Sequence, residues 1–195
     1  TVQSVGTPRS LVVNDSGVTT LGGAIGGAIG GAIGGAIGGS TAMLGSLTTD
    51  AAGSTAIQGG SIITLGAQTF NDAVTLGAST TLSGTTVTTQ GTVAGNTNAL
   101  TITGNAVLGN SGDDSISGLS TLSVSGTTAI NTAAITSSGA QTYAGAVTLG
   151  NSTVLSGSTI STQDAVVGAG QSLSITGDAV LGNSINDTVT GLNNL

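Results

Sequence analysis

Most of the side chains that carry protein chemistry are missing: the chain has no Cys, His, Lys, Glu or Trp. Without cysteine there is no disulfide framework, and without lysine no side-chain amide cross-link, so stability has to come from backbone hydrogen bonds and small aliphatic packing. The only cation is Arg9. The formal charge of −7 comes from eight aspartates, Asp15, Asp50, Asp72, Asp113, Asp114, Asp164, Asp178 and Asp187. Nucleic acid is excluded as a partner, because neutralising phosphates takes several Lys or Arg side chains. Phe70 and Tyr143 are the only aromatics, too few for an ordinary mixed core. Charge-driven disorder does not fit either, since 37% of the residues are hydrophobic and only 5% charged.

What remains is Thr, Ser, Gly, Asn and small aliphatics, and they are arranged as a tandem 73-residue repeat. Residues 55–122 match residues 128–195 without gaps at 37 of 68 positions. "GAQTFNDAVTLG" (66–77) returns as "GAQTYAGAVTLG" (139–150), and "LTITGNAVLGNS" (100–111) as "LSITGDAVLGNS" (173–184). The two aromatics share one repeat position. The chain opens on Thr1 with no methionine and no basic segment before a cleavable apolar run, and Leu195 answers to Leu122 in mid-unit. A piece of a longer protein is therefore expected.

Within each unit the pattern is that of strands. "LTITG", "TLSVSG", "AVTLG" and "TVLSG" alternate aliphatic with hydroxyl residues and end at turn formers. Such short strands cannot bury an apolar face alone, but stacked coils can pair each strand with those above and below. The expected fold is all-β: one parallel β-helix (β-solenoid) over residues 1–195, with rungs about 4.8 Å apart. Apolar runs recur near Leu76, Leu100, Val124 and Leu149, which predicts about 24 residues per coil and three coils per unit; four coils of about 18 are the alternative.

"GGAIGGAIGGAIGGAIGG" at 22–39 breaks this pattern. Deleting residues 24–39, four Gly-Gly-Ala-Ile units, restores the register with the later repeats, so that Val18 falls on Val107, Met43 on Ile116 and Gly53 on Gly126. The run is thus a low-complexity insertion at a turn. A membrane helix is the competing account, since eighteen residues would span about 27 Å. Against it, half the run is Gly, at about 1 kcal/mol each relative to Ala in a helix. Only Ile25, Ile29, Ile33 and Ile37 are strongly apolar, and no basic or aromatic flank anchors the ends.

"GAQTYAGAVTLGNSTVLSGSTI", "LSVSGTTAINTAAITSSGAQTY" and "LSITGDAVLGNS" resemble the strand repeats of large bacterial surface proteins, the filamentous-haemagglutinin (two-partner secretion) and autotransporter-passenger adhesins. The resemblance covers nearly the whole chain outside 22–39. It implies a right-handed parallel β-helix, exported to the bacterial cell surface or the extracellular space. Its role would be that of an adhesin, its stalk or a biofilm scaffold. The partners implied are host-cell or matrix surfaces or other copies of the chain, with the outer membrane involved only through parts of the parent protein outside this sequence. The stalk repeats of that family carry no site motif, so no functional residue follows from the resemblance.

Two local features point to other functions. "GNSGDDSIS" (109–117) is similar to a calcium-binding nonapeptide, in which Asp113 and Asp114 would supply oxygens to a hard cation. Asn110 departs from that pattern, and the second copy, "GNSINDTVT", lacks the middle glycine, which favours a plain polar turn. Apart from calcium, no cofactor is expected. The second feature is the threonine-rich outer face, with Thr101 and Thr103 able to begin an ice-binding ladder. The following strand offers Ser123 and Ser125 instead, so β-propensity on a solvated face is the simpler account. A polysaccharide-cleaving enzyme would need two carboxylates, and Asp113 with Asp114 is the one adjacent pair. Neither Lys, Arg nor Trp stands near them to hold a sugar, and the chain is expected not to be an enzyme.

Overall fold

A computed structural model describes residues 8–22 and 44–195. The insertion at 22–39 falls, apart from Gly22, outside the described residues. The twenty strands of the described residues form one parallel sheet. In chain order they are β1 (Ser10–Val13), β2 (Val18–Leu21), β3 (Ser46–Thr49), β4 (Ser54–Ile57), β5 (Ser61–Ile63), β6 (Gln68–Phe70) and β7 (Ala73–Leu76). Then come β8 (Thr80–Thr89), β9 (Val93–Ala94), β10 (Leu100–Leu108), β11 (Ser115–Leu119), β12 (Leu122–Val124), β13 (Thr128–Ile130) and β14 (Ala134–Ser137). The last are β15 (Gln141–Tyr143), β16 (Val147–Leu149), β17 (Thr153–Thr162), β18 (Val166–Val167), β19 (Leu173–Leu181) and β20 (Val189–Thr190). No helix of the described residues is long and apolar enough to cross a membrane.

The strands pile into three stacks, so the sheet closes on itself as a three-sided β-solenoid. Face one runs β1, β3, β6, the second half of β8, the second half of β10, β13, β16, β18, β20. Face two runs β2, β4, β7, β9, β11, β14 and the first halves of β17 and β19. Face three begins at the bridge between Leu44 and Thr64. It continues through β5, the first halves of β8 and β10, β12, β15 and the second halves of β17 and β19. The four long strands each turn a corner inside one strand, with a register shift at Gly104 in β10 and between Ser156 and Thr159 in β17.

Alternation places one side of every strand inside. In β10 Leu100, Ile102, Ala106 and Leu108 are buried, while Thr101, Thr103 and Val107 point outward. The core is a column of Leu, Ile and Val with Phe70 and Tyr143 as its largest members, and each buried aliphatic contributes about 1.5–3 kcal/mol. Stacking works because a side chain of one turn meets its like in the next: Leu100 pairs with Leu122, Ile116 with Ile135 and Ile57 with Leu76.

The coil is shorter than the spacing of the apolar runs predicts. Partners in adjacent turns are 19 apart in sequence at Gln68 and Val87, 20 at Ile62 and Leu82, 22 at Leu100 and Leu122, and 23 at Val93 and Ile116. The recurrence near 24 does not follow one column: Leu76 lies on face two and Leu149 on face one, while Leu100 and Val124 share face three but are two residues out of register, Leu100 pairing with Leu122 and Val124 with Ile102.

The 73-residue unit therefore holds neither three nor four whole coils. Its strands return on a different side: β6 on face one recurs as β15 on face three, β7 on face two as β16 on face one, and β5 on face three as β14 on face two. From β4 to its counterpart β13 the chain advances eleven face segments, which is three and two-thirds turns. Each unit is thus set back by one face and rises about 18 Å at the usual strand spacing.

The flanks of the insertion keep this phase. Leu21 ends a face-two strand and its carbonyl accepts the Gln58 and Gly59 N–H groups, while the Leu44 carbonyl accepts the Leu65 N–H on face three. Elsewhere the same two faces are joined by a short turn, as between Ile57 and Ser61.

Candidate functional site

Asp113 and Asp114 lie in the turn between β10 and β11. The Asp114 carboxylate accepts the backbone N–H groups of Asn110 (3.0 Å) and Ser111 (3.2 Å), and Asp113 is exposed, its N–H donating to the Ser111 hydroxyl at 3.3 Å. The second unit repeats the turn although Ile185 stands in place of Gly112: Asp187 accepts from Asn183 (2.7 Å) and Ser184 (2.8 Å). The shared Gly-Asn-Ser-x-x-Asp string is accordingly a turn in which the last carboxylate closes the backbone. Among the described residues no three acidic side chains come together as a cation site.

The polar groups that do come together are inside. Asp72, 5% exposed at the corner between faces one and two, accepts the Thr49 hydroxyl at 2.7 Å and the Thr55 hydroxyl at 2.8 Å. In the second unit Gly145 takes the place of Asp72, and the Thr128 hydroxyl, which answers to Thr55, is buried without a partner. Replacing Asp72 with Ala is expected to reduce stability by about 1–3 kcal/mol, because it leaves the protons of two buried hydroxyls without their acceptor, while Asp72→Asn keeps an acceptor and loses less. Urea unfolding midpoints of the two variants check this.

A second interior group distinguishes the repeats. Gln68 donates to the Ile62 (3.0 Å) and Ser83 (2.8 Å) carbonyls, and Gln141 does the same to Ile135 (3.0 Å) and Ser156 (2.8 Å). The Gln141 Oε1 then accepts the Tyr143 hydroxyl at 2.9 Å, whereas the Gln68 Oε1 has no partner, because Phe70 stands at the tyrosine position. The one-atom difference between "GAQTF" and "GAQTY" is the only sequence signal of this contrast. Burial pushes the Tyr143 phenol well above its ordinary value, so it remains a donor throughout the physiological range.

In the unfolded chain Tyr143 ionises near pH ~10, while the folded chain keeps its proton, so the unfolded state binds fewer protons and stability falls as pH rises beyond that point. With no lysine, cysteine or second tyrosine, little else titrates there. Tyr143→Phe is expected to cost about 1–3 kcal/mol at neutral pH and to abolish the alkaline decline. Urea midpoints measured across the alkaline range test both.

The outward side chains form columns along the solenoid. On face three the outward positions stack as Ser61, Thr81, Thr101, Ser123, Thr142 and Ser161, one hydroxyl per turn. On face one the corresponding column includes Thr48, Thr69, Thr88, Val107, Ala129 and Thr148. Face two stacks Ala56 on Thr75 and Thr75 on Ala94, then Thr136 on Ser156 and Ser156 on Thr176. None of these side chains is charged or large. A shallow cleft, lined by Thr153, Val154, Leu173, Ser174, Asn194 and Leu195 among others, lies at the last turn and holds no acid, base or nucleophile pair. No family model, curated protein or solved structure matches this chain.

Proposed function

We propose that this chain is a rod segment of a secreted or surface-anchored bacterial fibrous protein, acting as stalk or adhesive surface in cell adhesion or biofilm scaffolding. Its partners would be host-cell or matrix surfaces or other copies of itself. The observation that supports this most is the mismatch between unit and coil. A unit that steps back by one face sends each outward residue to all three sides in turn, so duplication spreads one surface around the rod and favours no single face. Such a body supplies length and a uniform uncharged exterior, and continuous backbone ladders along its axis resist extension. The −7 charge suits an extracellular rod that stays soluble. We further propose that it is not an enzyme, since Asp114 is engaged in its own turn and no second carboxylate is shown facing it.

Beads coated with the chain test this. Retention on matrix-coated surfaces, on cell monolayers or on one another, above that of beads carrying an unrelated acidic protein, is expected; background retention on all of them would reject the proposal. Ice binding is favoured by one specific observation, the six stacked hydroxyls of face three. Against it, Thr101 of that column returns as Ser174 on face two, so duplication does not preserve the array. Thermal hysteresis of the purified chain would decide for ice; none is expected. Reducing-sugar release from polysaccharides that is lost on changing Asp113 or Asp114 would decide for an enzyme.

A further inference from the structure

Endopeptidases that read the side chain before the cut bond must seat it in a pocket, which takes a cation in the trypsin class and a large apolar group in the chymotrypsin class. The chain offers the first class a single residue, Arg9, because it has no lysine and no other arginine. For the second class it has chiefly Phe70, Tyr143 and the leucines. Phe70 and Tyr143 are fully buried, and the bonds that follow them are held from both sides. The Tyr143 carbonyl accepts the Gln163 N–H at 2.8 Å, and the Ala144 N–H donates to the Val124 carbonyl at 2.9 Å. The Phe70 carbonyl accepts the Gln90 N–H at 2.8 Å, and the Asn71 N–H donates to the Thr49 hydroxyl at 3.2 Å. To seat either ring in a pocket, its turn would have to part from both neighbours. From Leu21 to Leu173 every described leucine is at most 5% exposed except Leu65, at 49%. Leu65 stands between β5 and β6, at the corner where face three passes to face one.

We propose that the Leu65–Gly66 bond is the point at which an endopeptidase of the chymotrypsin class nicks the folded rod, and that the stack from Ala67 to Leu173 is closed to both classes. In the cut, water gives its hydroxyl to the Leu65 carbonyl carbon and its proton to the Gly66 nitrogen as the bond between them breaks. The Leu65 N–H donates to the Leu44 carbonyl at 2.9 Å and the Gly66 N–H to the Gly45 carbonyl at 2.7 Å, so the corner has to open locally first. That opening parts one corner, whereas reaching Phe70 or Tyr143 parts the core. The second unit has Ser138 at the position of Leu65, exposed like it but without a side chain that fills the pocket. The proposal goes beyond the adhesive role and does not depend on it.

The test digests the full chain with chymotrypsin, folded in buffer and unfolded in urea, and maps the cuts by mass spectrometry over time. The folded chain is expected to be nicked after Leu65, with cleavage after Phe70 and Tyr143 about a hundredfold or more slower than in the unfolded chain. Leu65→Ser, the residue of the second unit, is expected to abolish the nick. Ser138→Leu is expected to add a cut after position 138 in the folded chain, and both variants keep the circular dichroism spectrum of wild type. The proposal is overturned if the folded chain stays whole at Leu65, if Leu65→Ser is nicked like wild type, or if Ser138→Leu adds no cut. It is equally overturned if the folded chain is cut after Phe70 or Tyr143 within about tenfold of the unfolded rate.

Discussion

Replacing Gly104 with alanine is expected to lower stability by about 3 kcal/mol or more, a fall in melting temperature of roughly 6–12 °C for a chain of this size. Two effects add at this residue. Its φ of +130° is a conformation that side chains rarely adopt, and an added Cβ would stand 1.9 Å from the Gly84 carbonyl oxygen of the turn below. The obstacle is backbone held in the ladder, so relief requires the turns to part at the corner where β8 and β10 pass from face three to face one. Gly177 repeats the geometry against Gly157, also at 1.9 Å, although that corner joins faces two and three. Gly112→Ala is the control. Its nearest neighbour is the Asn151 side-chain oxygen at 3.7 Å, and its change is expected to stay within about 0.5 kcal/mol. Thermal melts of the three variants check the ranking.

The second large effect compares one repeat position in two settings. Leu108→Ala is expected to cost about 2–5 kcal/mol, and Leu181→Ala, at the same position of the next unit, less than about 1 kcal/mol. Leu108 is fully buried between Thr89 below and Ile130 above, whereas Leu181 has Thr162 below and no strand above it among the described residues. If burial by the next turn is what holds the core together, identical chemistry must give unequal losses. Equal urea midpoints for the two variants would mean that the turns are not stacked as described.

Much of this architecture is legible in the sequence. The alternation in "LTITG" gives the inward Leu100 and Ile102, and the match between "GAQTF" and "GAQTY" gives the repeat. The length of a coil is not, because strand alternation says which side of a strand is buried but not how many strands close a turn. Gly104 hides a corner inside one nine-residue strand, so a single apolar run serves two faces. The interior polar groups are equally opaque: Asp72 looks like a turn residue until Thr49 and Thr55 are seen to converge on it from neighbouring strands. Asp113 and Asp114 are conspicuous as adjacent carboxylates, yet Asp114 serves its own backbone.

The claim that everything else depends on is the phase of the coil, and the lack of native cysteine makes it directly measurable. With cysteine placed at Thr101, a second cysteine is moved one position at a time from 119 to 127, and disulfide formation is scored under mild oxidation. The account predicts a maximum at Ser123, the partner of Thr101 in the next turn. A maximum at Leu119 or Ser125, as coils of about 18 or about 24 residues would give, contradicts it.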